Sequence, residues 1–495
     1  MTLDPRTPVI VGVGQHIARD ATLENALEPV ALMERAVVAA ASDAGLDGPP
    51  PADSIRVVNV IGWRYRNAPR FVAERLGIRD AELVYSTGGG NTPQSFVNRT
   101  SLDILEGGLD IAIITGGEAF RTYLAAKREG AKLDWAKAPD DDHAVSFGKD
   151  TPMSHPTELE LGIGAPVQLY PMFETAVRAS MGNTPAEHRE RLGKLWSGLS
   201  HVAADNPHAW IRQAMTPDEI TDVTPSNRMI GLPYPKLMNS NNNVDMAAAI
   251  IMCSVEAARR LGVPEDRWVF PVAGSDCHEH PYVSHRQSLD HTPAIELGGR
   301  RVLELAGLAI DDVSIVDLYS CFPSAVQLGA RSLGIDPLER QWSRTGGLTF
   351  AGGPWNNYVT HAIATVVADL REQPDEHALV WGNGGFATKH AFGVYATTPP
   401  ADGFVHDDPQ AEIDAMPRRE LALPDEASGR ASIESYTVMF DREGAPERAI
   451  TSCLLPDGRR AWGTSDDRDT ALALTEGEWV GADVTLTDSG TLRIV

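Results

Sequence analysis

The chain has 495 residues, room for two to four domains, and its 42% hydrophobic and 22% charged content is ordinary for a globular protein. A formal net charge of −25 works against nucleic acid and anionic membrane as partners, and no apolar run reaches the ~18–20 residues that span a bilayer. The N-terminus lacks the basic start and apolar core of a signal peptide, and Cys253, Cys277, Cys321 and Cys453 form no CxxC pair, so free thiols in a reducing cytoplasm are expected.

Residues 9–13 (VIVGV) predict a buried strand, and 25–44, rich in Ala, Leu and Glu, a helix ending at Ala44-Gly45-Leu46. A strand over 55–61 and a short helix over 70–76 follow. Residues 83–121 read as strand end, glycine turn, helix, buried strand and a second glycine pair. The turn is Gly88-Gly89-Gly90-Asn91. Asn91 or Thr92 suits the helix cap, and Pro93 its first turn. Phe96, Val97, Thr100, Ile104 and Leu105 give the helix a core face, and 111–114 is a short β-branched run. A sharp turn into a helix N-terminus gathers backbone N–H groups and positive dipole, which suits a nucleophile or an acyl carbonyl; it is equally a tight βα turn with no ligand.

Residues 120–235 are polar, with the acidic run Asp140-Asp141-Asp142 and helical pieces over 173–181 and 185–203, and read as an inserted lobe. Two phrases then recur. Residues 53–58 match 311–316, each after an Ala-Gly-Leu helix end, and the helix–strand–glycine-pair phrase over 105–117 returns over 370–385. The repetition suggests two similar α/β halves, 1–119 and 236–400, around the lobe. After Thr398-Pro399-Pro400 the chain turns acidic and alternating, with strands over 431–440, 448–455, 460–463, 484–486 and 491–495 and a hairpin signal at Pro456-Asp457-Gly458. Residues 401–495 therefore read as a small antiparallel β domain, in the manner of a small oligonucleotide-binding barrel. Its acidity argues against single-strand binding.

VIVGVGQ at 9–15, the turn–helix–strand ending in Gly116-Gly117, NSNNNVDMAAA at 239–249, LYSCF at 318–322, TGGLTFAGGP at 345–354 and WGNGGF at 381–386 together resemble the thiolase superfamily. They are most similar to its sterol-carrier-protein-2 branch and, with the added β domain, to the mycobacterial thiolase-like protein type 1 group. The resemblance implies two βαβαβαββ halves in a five-layered αβαβα body, with a loop lobe that holds coenzyme A. It also implies a nucleophilic cysteine at a position within Gly89 to Asn91, a histidine where Gly353 stands, and a second cysteine near Trp381 to Asn383. Tyr319 stands where an Asn or His would position an oxyanion water. None of the three acid–base or nucleophilic groups is present in this sequence, and such groups act as a unit.

The chain therefore resembles proteins labelled acetyl-CoA acetyltransferases while lacking their chemistry. It is expected to bind an acyl-CoA or related ligand with no tightly bound cofactor and no metal. The alternatives are a retro-aldol lyase on a β-hydroxyacyl-CoA and a scaffold protein; in the lyase branch a separate small-barrel partner completes the enzyme, a role the fused domain would take in cis. Tyr319 and Tyr358 are candidate acid–base groups or core-filling tyrosines, and His390 offers an imidazole or a hydrogen-bonded loop histidine. Cys321 reads as a small buried apolar residue. Gly90, Asn91, Asn242, Gly353 and Trp355 are the expected ligand-pocket residues. His188, Arg191 and Lys194 recur every third residue on a lobe helix, as coenzyme A contacts or a solvated face. The group Cys277, His278, His280 and His285 has no second ligand cluster. A monomer or a homodimer through 111–114 is expected.

Overall fold

The computed structural model describes residues 3–139 and 141–494; Asp140 of the acidic run and Val495 of the last expected strand lie outside the described residues. The first part of the chain supplies β1 (Pro8–Ile17), α1 (Pro29–Asp43), β2 (Ser54–Val57), α2 (Ala68–Leu76), β3 (Glu82–Ser86), α3 (Thr92–Leu105), β4 (Ile111–Ala119) and α4 (Phe120–Glu129). The lobe adds β5 (Val145–Phe147), α5 (Pro156–Glu160), α6 (Pro166–Ser180), α7 (Pro185–Asp205), β6 (Met229–Gly231) and β7 (Tyr234–Pro235). Then follow β8 (Asp245–Ser254), β9 (Phe270–His278), β10 (Ile315–Leu318), β11 (His377–Gly384), β12 (Lys389–Ala396) and β13 (Val405–Asp407).

Two sheets form the body, in the orders β1-β8-β4-β2-β3-β5 and β10-β11-β12-β9-β13. The recurring sequence phrases occupy matching places. Parallel to β4 runs β2, Ile55 opposite Ile113, and β10 runs parallel to β11, Val316 opposite Leu379. The helix before each partner strand, α3 and Tyr358–Glu372, packs on its counterpart and touches both sheets. Outside lie α1 and α2 on the first sheet and helices Pro293–Ala306 and Pro323–Leu333 on the second. The result is a five-layered αβαβα body. Every residue of β4 and β8 is buried, as strands covered on both faces require.

The sequence reading misplaces some details. β8 lies in the first sheet, between β1 and β4, so the halves interlock across the boundary drawn at 235/236. For the same reason residues 111–114 are interior, with β8 and β2 as neighbours, and cannot offer a dimer edge. The lobe helix begins at Pro166, not 173; Pro171 lies inside it, and the sequence pattern emerges only after that proline. Asn91 holds the cap position of α3, but its side chain makes no cap bond and instead donates to Ser95 Oγ.

At the C-terminus β14 (Gly429–Phe440), β15 (Pro446–Leu454), β16 (Arg460–Ser465), β17 (Asp483–Leu486) and β18 (Leu492–Ile494) form an antiparallel sheet in the order β16-β15-β14-β17-β18. β6 of the lobe joins it beside β14, Gly231 opposite Met439. Ser435 donates to the Met172 carbonyl on α6, Arg178 of α6 pairs with Glu478, and Trp462 Nε1 donates to Ser284 Oγ at 2.9 Å. This domain is thus bonded into the body through α6 and the 283–286 turn.

Candidate functional site

The Gly88–Asn91 turn delivers the chain into α3 at the centre of the five layers. The Gly89 N–H donates to Asn356 Oδ1 at 3.0 Å, and Asn356 Nδ2 donates to the Asn59 carbonyl at 3.1 Å. The glycine-rich end of β11 lies against the turn. A Cβ on Gly384 would stand 2.6 Å from Asn91 Oδ1 and 3.1 Å from Gly89 Cα, so only glycine permits that approach.

Gly90 is crowded from the other side. A Cβ there would lie 2.4 Å from both Tyr319 Oη and the Asn383 carbonyl oxygen. Tyr319 follows β10 directly and is buried; its hydroxyl makes no hydrogen bond among the described residues. Burial, then the neighbouring Cys321, raises its pKa, so the phenol stays protonated at neutral pH. Tyr358 packs edge-on against it, ring centroids 5.5 Å apart. Its own hydroxyl is engaged with Thr345 Oγ1 at 2.6 Å and donates to Asp317 Oδ1 at 3.0 Å. Burial pushes the Asp317 carboxyl up to about 6.

Behind Tyr319, Tyr170 of α6 closes the site. Its Oη accepts from Asn383 Nδ2 at 2.9 Å and the Ala387 N–H at 3.0 Å, and donates to the Gly385 carbonyl. Burial pushes the Cys321 thiol up to about 12, so it is no thiolate at neutral pH. Asn242 Nδ2 donates to the Gly353 carbonyl at 2.7 Å and the Gly353 N–H donates to the Asn241 carbonyl, so the asparagine loop holds the Gly352-Gly353-Pro354 turn. Trp355, at φ +48°, sets its ring edge-on to Phe120 and leaves Nε1 without a partner among the described residues.

A cleft of about 470 Å³ opens on the far side of the turn, between Gly88, Asn91, Thr92, Thr388 and Lys389. Lys389 Nζ donates to the Gly88 carbonyl at 2.6 Å, and burial lowers its pKa. His390 lines the same cleft, opposite Asn383 on β11; its Nδ1 accepts from Trp381 Nε1 at 3.3 Å, and burial brings its pKa down to about 3.

The structure does not assemble His188, Arg191 and Lys194. His188 faces the core, its Nε2 2.5 Å from Glu174 Oε1, and Glu174 also receives Tyr234 Oη and Gln327 Nε2. Periodicity places residues on one stripe but does not say that the stripe meets solvent. Arg191 lies beside Gln327 and Asp336, and exposed Lys194 pairs with Glu190. Among the described residues no group of three His, Cys, Asp or Glu is placed to hold a metal; buried Cys277 donates to the Ala294 carbonyl. Sequence reasoning missed Tyr170 and Asn356. Asn356 had a signal, its place in WNNY after the glycine–proline turn; Tyr170 had none.

Two sheets that sandwich a pair of matched helices, with a glycine turn at the tip of one, define the thiolase fold. The chain belongs to the thiolase-like proteins of type 1. It matches a monomeric SCP2-thiolase-like protein type 1 from Mycobacterium smegmatis with 33% identity over 100% of both chains and a TM-score of 0.83. Residues 408–491 match the thiolase-like protein type 1 additional C-terminal domain. The fold is shared with an Ltp2–ChsH2(DUF35) aldolase at 20% identity and TM-score 0.60, over 80% of this chain and 98% of that one. The benzoylsuccinyl-CoA thiolase subunit BbsB of Thauera aromatica is 27% identical over 135 residues, which cover 27% of this chain and only 33% of that relative.

Proposed function

We propose that the protein binds an acyl-CoA or a closely related ligand at the Gly88–Asn91 turn and carries out no cysteine-based acyl transfer. The observation that carries this reading is the position of Tyr319: its hydroxyl fills the space into which a side chain at Gly90 would grow. No thiol stands at the turn, and the buried Cys321 stays protonated. The helix tip keeps its dipole, which favours a carbonyl or anionic ligand without any covalent step. Relatives whose names carry acyl-CoA substrates support the ligand class. Incubation with acetoacetyl-CoA and coenzyme A, followed by intact-mass spectrometry, should show no acyl adduct, while calorimetry detects binding of the esters. A trapped acyl-enzyme would overturn the reading.

One observation favours a lyase as the second reading. Tyr319 presents a protonated phenol with no hydrogen-bond partner among the described residues at the helix tip, fit to give a proton to the carbanion formed as a carbon–carbon bond breaks, the phenolate then recovering the proton that the β-hydroxyl sheds as it becomes a carbonyl. The aldolase with the same fold lends support, and α6 links the C-terminal domain to Tyr170 beside the site. Aldehyde or ketone release from a β-hydroxyacyl-CoA, lost about 10²-fold or more in Tyr319→Phe, would establish this reading over simple binding.

A further inference from the structure

Lys389 opens β12 and lines the cleft at the tip of α3, yet it forms no ion pair among the described residues. Its hydrogen bond goes to a neutral acceptor, the Gly88 carbonyl. The turn that holds this carbonyl leads into α3, a helix of 14 residues, and the positive end of a helix disfavours an ammonium group. Burial acts in the same direction, while the charge of Asp150 opposes both without pairing. An amine so placed reaches its neutral, nucleophilic form more readily than a solvated lysine. A Cβ built on Gly89 would lie 3.5 Å from Lys389 Nζ and 2.5 Å from Asn91 Oδ1. The amine therefore shares one small space with an oxygen that has no partner among the described residues.

The cleft also holds a proton carrier. Strands β12, β9 and β13 run side by side, with Lys389 opposite His278 and His406 opposite Gly274. Residues 274, 276 and 278 share one face of β9, so Lys389, Asp276 and His406 lie on the same side of the sheet. That side meets α3, where Asp276 accepts from Ser95 Oγ and from Asn98 Nδ2 at 2.7 Å. His406 Nε2 donates to Asp276 Oδ2 at 2.9 Å, which fixes the ring and leaves a free lone pair on Nδ1. Asp276 and His406 line the cleft with Lys389, and Leu102, Phe147 and Pro281 add an apolar wall. Because β13 follows Pro399-Pro400, chain beyond the two matched halves supplies the imidazole. A lysine without a counter-ion, an oriented imidazole and apolar room for a carbon chain suit condensation with a carbonyl compound.

The geometry points to Lys389 as an imine-forming site for a small aldehyde or ketone, with His406, held by Asp276, as its proton carrier. The amine lone pair attacks the carbonyl carbon and a C–N bond forms. Both amine protons pass by way of His406 to the carbonyl oxygen, which leaves as water and gives the Lys389 imine. No other reagent is consumed, and the site stands independently of the acyl-CoA reading. Pentanal with cyanoborohydride, which reduces an imine to a stable secondary amine, tests it on the full chain. At neutral pH peptide mapping should find Lys389 alkylated about tenfold faster or more than any other lysine. In Lys389→Arg the fast phase should vanish and only slow labelling of surface lysines remain. Labelling spread evenly over the lysines, or a fast phase that survives the substitution, overturns the site. The map of the wild-type chain decides alone if the variant does not fold. His406→Gln should slow the fast phase several-fold and flatten its pH dependence between about 5 and 8. An unchanged rate and profile overturn the part given to the imidazole.

Discussion

Gly90 and Tyr319 share one volume: the phenol hydroxyl stands where a side chain at Gly90 would grow. Gly90→Cys should therefore lower unfolding free energy by about 1–3 kcal/mol through overpacking. The new thiol, walled in by the Tyr319 hydroxyl and the Asn383 carbonyl, should resist alkylation; urea titration and iodoacetamide labelling check both, and a stable, readily alkylated variant would disprove the crowding. Glu118 sets a second test. It is buried at the end of β4 and accepts the N–H groups of Ile61 and Gly62, and burial pushes its carboxyl up from 4.5 to about 8. The folded state then binds more protons than the unfolded one between those values, so Glu118 contributes a loss of stability as pH rises from 4.5 to about 8, with no further change above. Glu118→Gln has no proton to lose, so its stability relative to wild type should climb through that window; denaturation at about pH 5, 7 and 9 reads the difference. Little of this was legible in sequence. LYSCF drew attention to Tyr319, but that its hydroxyl falls on Gly90 depends on a contact between residues far apart in the chain. His188 was misread for the same reason, since its partner Glu174 lies on another helix.

Among the elements, the helices with regular apolar spacing and clear ends were legible: Pro293–Ala306 closes at Gly307 in the left-handed conformation, and α7 opens with a Thr184–Glu187 capping box. Sheet neighbours were not. Hydrophobicity marks β4 and β8 as buried but cannot say which strands flank them, so β8 was assigned to the wrong half. The interface between the C-terminal domain and the body was equally hidden, because its bonds join residues far apart in the chain and several end on main-chain carbonyls. Arg460 of β16 gathers Glu434 and three carbonyls of the 283–286 turn with no exposed surface. Arg460→Ala should cost about 3–5 kcal/mol, since it strands a carboxylate and leaves buried acceptors unpaired. Guanidinium titration measures it, and a loss near the ~0.5 kcal/mol of an ordinary surface substitution would show that the clamp carries no load.

For the molecule as a whole, β5 of the lobe lies parallel along β3, Tyr85 opposite Ser146, and occupies the edge through which a second copy would extend the first sheet. With a net charge of −25 adding repulsion between copies, light scattering on the purified chain is expected to give the mass of one chain, and a dimer mass at micromolar concentration would contradict it. The seam between β6 and β14 carries a further consequence. Gly231 finds its neighbour Met439 roughly 200 residues later in the chain, so during translation the lobe's outer strand emerges long before the strand that completes it, in a process that otherwise finishes N-terminal units first. A nascent or prematurely terminated polypeptide therefore displays an unzipped edge next to α6, a mark by which chaperones and proteases can sort unfinished copies from finished ones.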